Sequence, residues 1–176
     1  MKKGIIVGTL VLSVAFLFAA CHHEEEECVD IAGTYAVTKT FEDMVCVTAG
    51  STVLTITNES TLLPLTSTLV VNQIECSIAG SETTTTPPLT IAYLGDTDEH
   101  DRFSMSIQSP VPLALDMSID GLPTVACNFN AGIEWNGSAP NDNSLVGVID
   151  FALTKVSGDA TCPASCTANY NFAAIK

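Results

Sequence analysis

From Val125 to Asn136 the side chains alternate without a break: Val125, Cys127, Phe129, Ala131, Ile133 and Trp135 on one parity, Ala126, Asn128, Asn130, Gly132, Glu134 and Asn136 on the other. Only an extended strand puts every second residue on one face, so this is the period of a half-buried strand with one wet side. The same period recurs in Phe103, Met105 and Ile107, in Leu113, Leu115, Met117 and Ile119, in Leu145, Gly147, Ile149, Phe151 and Leu153, and in Tyr170, Phe172 and Ala174. Residues 31–38, 51–57, 68–76 and 89–94 show weaker versions. Between the runs stand turn-forming residues: Asp120-Gly121-Leu122-Pro123, then Asn136-Gly137 with Pro140 and Asn141-Asp142-Asn143 as a longer connection, then Ser157-Gly158-Asp159. Residues 80–88 (GSETTTTPP) read as a polar loop. No amphipathic helical stretch follows the first 28 residues. The expectation is an all-β domain: an antiparallel barrel of about 8–10 strands, with a two-sheet β-sandwich of immunoglobulin or jelly-roll type as the alternative. Strands of ten or more residues, such as 124–135 and 144–155, favour the barrel.

The front of the chain follows another logic. Lys2 and Lys3 precede an uncharged, mostly apolar run over residues 4–20, which then meets Cys21-His22-His23 and four glutamates. A basic start and an apolar stretch are the pattern of an export signal. The expected organisation is a signal peptide over 1–20, a Cys-led acidic tether over 21–28, and one β-domain over 29–176. Of the 6 basic and 20 acidic residues in the chain, Lys2 and Lys3 leave with the signal and no acid does. So acidic a surface repels phosphate backbones and excludes nucleic acid as a partner.

Leu17-Phe18-Ala19-Ala20-Cys21 resembles the lipobox of bacterial lipoproteins, with Phe18 where Leu is more usual. The resemblance covers the first 21 residues. It implies that Cys21 becomes the new N-terminus and carries acyl chains such as palmitate, which turns a soluble domain into a membrane-anchored one. Several chains, at roughly 0.8 kcal/mol per buried methylene, hold where one does not. His22 stands where an Asp would signal inner-membrane retention, so the resemblance points to the cell envelope at the outer membrane. The alternative is an ordinary signal peptide, with Cys21 in a disulfide. Of the seven cysteines, setting Cys21 aside leaves Cys28, Cys46, Cys76, Cys127, Cys162 and Cys166, an even set suited to a disulfide framework of undetermined pairing. Within the domain, Gly33-Thr34-Tyr35 is similar to the G-x-W of lipocalins with Tyr in place of Trp, which implies a lipocalin-like barrel.

Chemistry is sparsely provided. His100 is the only histidine beyond the tether, so a multi-histidine zinc site within the domain is excluded, and a Ser-His-Asp triad would depend on His100 without a G-x-S-x-G. Cys162-Pro163-Ala164-Ser165-Cys166 has the wrong spacing for a thioredoxin-like pair and suits structural bonding better. His22, His23 and the glutamates read as a solvated spacer, not a metal site. Asp96, Asp98 and Asp101 concentrate hard oxygen ligands in one acidic loop, a calcium candidate weighed against a plain surface loop. Asp116, Asp120 and Glu134 lie on polar faces and offer at most a glycosidase-type acid pair. No catalytic residue is assigned.

The expectation for function is a membrane-anchored, exported, non-enzymatic β-domain, either holding a small apolar ligand within the barrel or acting as a structural or adhesive module for an envelope protein. The anchor is testable directly. Cys21→Ala should move the protein from the membrane to the soluble fraction. A wild-type protein that is already soluble and has no acyl mass on Cys21 would contradict it.

Overall fold

The computed structural model describes residues 28–48, the backbone of 53–56, and residues 62, 64–86, 88–117 and 124–176. Residues 1–27, which hold the lipobox-like segment and most of the expected tether, lie outside these, as do Ile119 and Asp120. Ten strands make up the described chain: β1 (Gly33–Val47), β2 (Val53–Ile56), β3 (Thr66–Ile74), β4 (Ser77–Thr85), β5 (Pro88–Thr97), β6 (Arg102–Ile107), β7 (Val111–Met117), β8 (Val125–Asn141), β9 (Ser144–Gly158) and β10 (Ser165–Ile175). All their pairings are antiparallel. β2 and β3 lie end to end along β1, and β6 and β7 lie end to end along β8. The eight positions so formed follow chain order around the wall. β10 then returns to β1, from Ala36 opposite Ile175 to Val47 opposite Ser165, and closes an eight-strand antiparallel barrel. That closure removes the two-sheet sandwich, which would leave β1 or β10 as an edge.

Alternation builds the inside. On β10, Cys166, Ala168, Tyr170, Phe172 and Ala174 are buried and the residues between them are exposed. On β8, Cys127, Phe129, Ala131, Ile133 and Trp135 do the same. β1 keeps its inward face over 15 residues by means of a bulge: its register against β10 shifts between Phe41 and Asp43, so Tyr35, Val37 and Lys39 point inward before it and Met44 and Cys46 after it. Glycine is required where two strands crowd. A Cβ on Gly95 would stand 1.8 Å from the Ser104 carbonyl oxygen of the neighbouring strand. Gly158 has φ +124°, a conformation side chains resist, where the β8–β9 pairing ends beside Cys127.

Two segments differ from the sequence expectation. Residues 80–85 are strand rather than loop: β4 runs through Thr85, with Gly80, Glu82 and Thr84 turned inward. Polar residues occupy that face because Glu82 finds a buried cation. Nor do residues 136–143 form a long connection. β8 continues to Asn141, and only Asp142 and Asn143 turn the chain. Gly137 permits this, since a Cβ there would stand 2.5 Å from the Val146 carbonyl oxygen.

The barrel has two different ends. The terminal end carries the start of β1, the end of β10 and the β3–β4, β5–β6 and β8–β9 turns. The distal end carries the β1–β2, β4–β5, β7–β8 and β9–β10 connections. At the distal end β5 pairs with β6 only from Tyr93 onward, and β7 pairs only with β8. The wall is therefore unpaired, among the described residues, between the first half of β5 and β7.

All six cysteines of the domain are bonded: Cys28–Cys76 at the terminal end, Cys46–Cys166 between β1 and β10, and Cys127–Cys162 between β8 and the β9–β10 connection. Cys46–Cys166 spans 120 residues and Cys127–Cys162 spans 35. Loop-closure entropy then assigns about 5 kcal/mol to the first and about 4 kcal/mol to the second. Paired Cys→Ser substitutions at Cys46 and Cys166 should thus lower the urea midpoint further than those at Cys127 and Cys162. The reverse order would show that chain entropy does not govern these links.

Candidate functional site

A barrel of eight strands has an interior just wide enough to be filled by side chains or to hold one small ligand. Here it is filled. Trp135, Tyr35, Tyr93, Tyr170, Phe129 and Phe151 are all less than 2% exposed, with Met44, Leu69, Met105, Leu145 and Ile149 among them. The rings touch one another: Trp135 and Phe172 centroids are 4.7 Å apart, Phe41 and Tyr170 5.3 Å, Phe151 and Tyr170 5.4 Å, and Tyr93 and Trp135 5.8 Å. Hydrogen bonds tie down the terminal end. At the terminal end the Tyr35 hydroxyl donates to the Ile31 carbonyl (2.8 Å), and the Gln73 amide holds Val29 and Ile31. Inside the wall, the buried Leu62 donates its backbone N–H to the Tyr170 hydroxyl (2.8 Å).

One polar constellation interrupts this apolar filling. Lys39 of β1 and Glu82 of β4 have side chains with no solvent exposure, and Lys39 Nζ donates to Glu82 Oε1. Ser67 of β3 donates its hydroxyl to the same oxygen (2.6 Å), and Tyr93 of β5 donates to Oε2 (2.8 Å). The Pro64 carbonyl lies 3.4 Å from Lys39 Nζ, and the Trp135 ring centroid lies 5.9 Å from it. Burial, then the neighbouring Glu82 charge, raises the Tyr93 pKa far above its ordinary value, so the hydroxyl stays protonated and remains a donor. The Trp135 indole N–H opposes that shift, but its geometry does not reach a hydrogen bond and Nε1 has no partner. Lys39 and Glu82 have no solvent exposure, while Ser67 and Pro64 at the rim of the cluster are half-buried.

The residues singled out from sequence sit elsewhere. Asp96, Asp98 and Asp101 lie on and beside the β5–β6 turn. Asp98 is spent on its own turn: Oδ1 accepts from the His100 and Arg102 backbone N–H groups (both 2.9 Å), and Oδ2 from Arg102 Nε (2.8 Å). Desolvation pushes the Asp98 carboxyl up, but these donors and the guanidinium charge together hold it below the usual carboxylate range. No group of three or more His, Cys, Asp or Glu is placed to hold a metal ion among the described residues. His100 is exposed, beside Glu99 at 3.3 Å. Asp116 and Glu134 point outward, and Glu134 sits opposite Asp150 on the next strand. That pair floors a shallow outer groove with Ser106, Gly132, Thr167 and Asn169. Cys162 and Cys166 bond to different partners, which removes a dithiol pair.

Lys39, Glu82, Ser67 and Tyr93 were not singled out from sequence as site residues. The signal was there in part: Lys39 continues the inward parity of Tyr35 and Val37, and Glu82 that of Ile78 and Gly80. Comparison with models of known protein families and with curated proteins gives no match to this chain.

Removing one partner of a buried ion pair strands the other charge, at a cost of about 3–5 kcal/mol. Lys39→Met and Glu82→Leu should each destabilise the domain by roughly that amount. The double variant should cost much less than their sum in chemical denaturation. Additive effects would show that the two side chains act independently.

Proposed function

We propose that this chain is an exported lipoprotein of the bacterial envelope whose barrel serves as a non-enzymatic module, meeting a protein or envelope partner through its outer wall and distal end. The observation that carries this reading is the filled interior: with Trp135, Tyr93, Tyr170 and Phe151 packed inside, the surfaces left for recognition are external. Three disulfides suit an oxidising compartment outside the cytoplasm. The lipobox-like Leu17-Phe18-Ala19-Ala20-Cys21 supplies the anchor.

Geometry then sets the orientation. Cys28 is bonded to Cys76 in the turn after β3, so the tether leaves from the terminal end. Residues 21–27 reach roughly 3.3–3.6 Å each at full extension, about 25 Å in all. A short acidic leash from that end holds it toward the membrane and presents the distal connections outward.

A second reading keeps the small apolar ligand and moves it to the distal mouth. Leu89 of β5 and Val111, Leu113 and Leu115 of β7 belong to the inward parity but are only half-buried, beside the unpaired stretch of wall. One experiment in intact cells separates the two. A photo-crosslinking residue at Thr161, on the β9–β10 connection, should capture a discrete protein adduct, and one at Asn143, at the terminal end, should not. Absence of an adduct at Thr161, with saturable uptake of an apolar fluorophore by the purified domain that Leu113→Glu abolishes, would replace the first reading by the second.

A further inference from the structure

The Lys39–Glu82 contact is closer to a reaction than to a surface salt bridge. Both side chains are fully enclosed, and Nζ is in contact with Oε1, which lies one bond from the carboxyl carbon Cδ. The amine is therefore held against the carboxyl group it would attack. No bulk water solvates either charge, and each carboxylate oxygen has its own hydroxyl donor, Ser67 on Oε1 and Tyr93 on Oε2. We propose that Lys39 and Glu82 form an intramolecular isopeptide bond across the barrel interior, joining β1 to β4.

The chemistry balances without a further reactant. Proton transfer along the Nζ–Oε1 contact leaves a free amine facing a carboxylic acid. The Nζ lone pair attacks Cδ, and the negative charge that develops on Oε2 is met by the Tyr93 hydroxyl, a donor aimed at the oxygen that needs it. Oε1 takes a second proton from Nζ and departs as water while the C–N bond is completed. The carboxyl oxygen lost from Glu82 is the oxygen of that water, and no electrons change hands. Tyr93 can fill this role because burial keeps it protonated. Lys39 makes the nucleophile because its enclosed amine has few partners besides Glu82: the Pro64 carbonyl at 3.4 Å and the Trp135 ring. An amide has no net charge, so the bond also removes the desolvation burden that an ion pair carries in an apolar core. β1 and β4 are separated around the wall by β3, so the link would run inside the wall and not along it.

The test uses the wild-type protein isolated from its membrane, reduced, denatured and digested with trypsin. Trypsin should fail to cut after Lys39, and the peptide that spans Lys39 and Glu82, which runs from Cys21 to Arg102, should weigh one water less than its sequence plus the acyl groups on Cys21. Glu82→Gln should converge on the same peptide mass, because it loses ammonia where the wild type loses water. Tyr93→Phe should slow the appearance of the linked species after synthesis. Normal cleavage after Lys39 in the wild type, with a Glu82 peptide of full mass, overturns the proposal and leaves the pair ionic. A loss of water that maps to any residue pair other than Lys39 and Glu82 overturns it equally.

Discussion

The pairing of β10 with β1 is the constraint on which the rest of this structure depends. It gives β10 two neighbours along its whole length and turns ten sequential strands into a wall without a terminal edge. Once the wall is closed, the inside has a fixed width, and the inward parity of every strand must share it. At eight strands that width suits side chains stacked against one another. The six fully buried aromatic rings are the outcome, and the Cys46–Cys166 bond staples the same β1–β10 seam. The bulge beside Glu42 serves the closure too: without it, the second half of β1 would turn Met44 and Cys46 outward.

Against that background Lys39 and Glu82 are an anomaly that needs a reason. Two enclosed charges rarely stabilise a fold more than well-packed apolar residues would, and separating them is costly. Here both carboxylate oxygens are satisfied by named donors from three different strands, so the pair also fixes how β1, β3, β4 and β5 stand relative to one another. Such a network specifies one arrangement of the wall, whether the pair remains ionic or condenses to an amide.

The strands that were plain in the sequence, β6, β7, β8, β9 and β10, are those whose inward faces are dominated by apolar side chains. β4 was hidden because Gly80, Glu82 and Thr84 put no apolar side chain on the inward face, and the reason lies 43 residues away in Lys39. The far half of β8 was hidden because Asn136-Gly137 is also a turn signal, and local sequence does not reveal that Gly137 is needed for close strand packing. Cysteine parity indicated full pairing, yet which cysteines meet follows from the barrel closure, a property of the whole chain. The lipobox-like segment was legible as a local motif, and it bears on where the protein resides more than on how it folds.

The filled interior and the continuous wall describe one closed barrel. Everything in that description rests on the wall being closed at β1 and β10, and amide hydrogen exchange reads this directly. In a closed barrel the backbone N–H groups of β10 are all taken, alternately by β9 and by β1. Closure predicts slow exchange at every amide from Thr167 to Ala174. Fast exchange at every second amide along that stretch would mark β10 as an open edge and contradict the barrel.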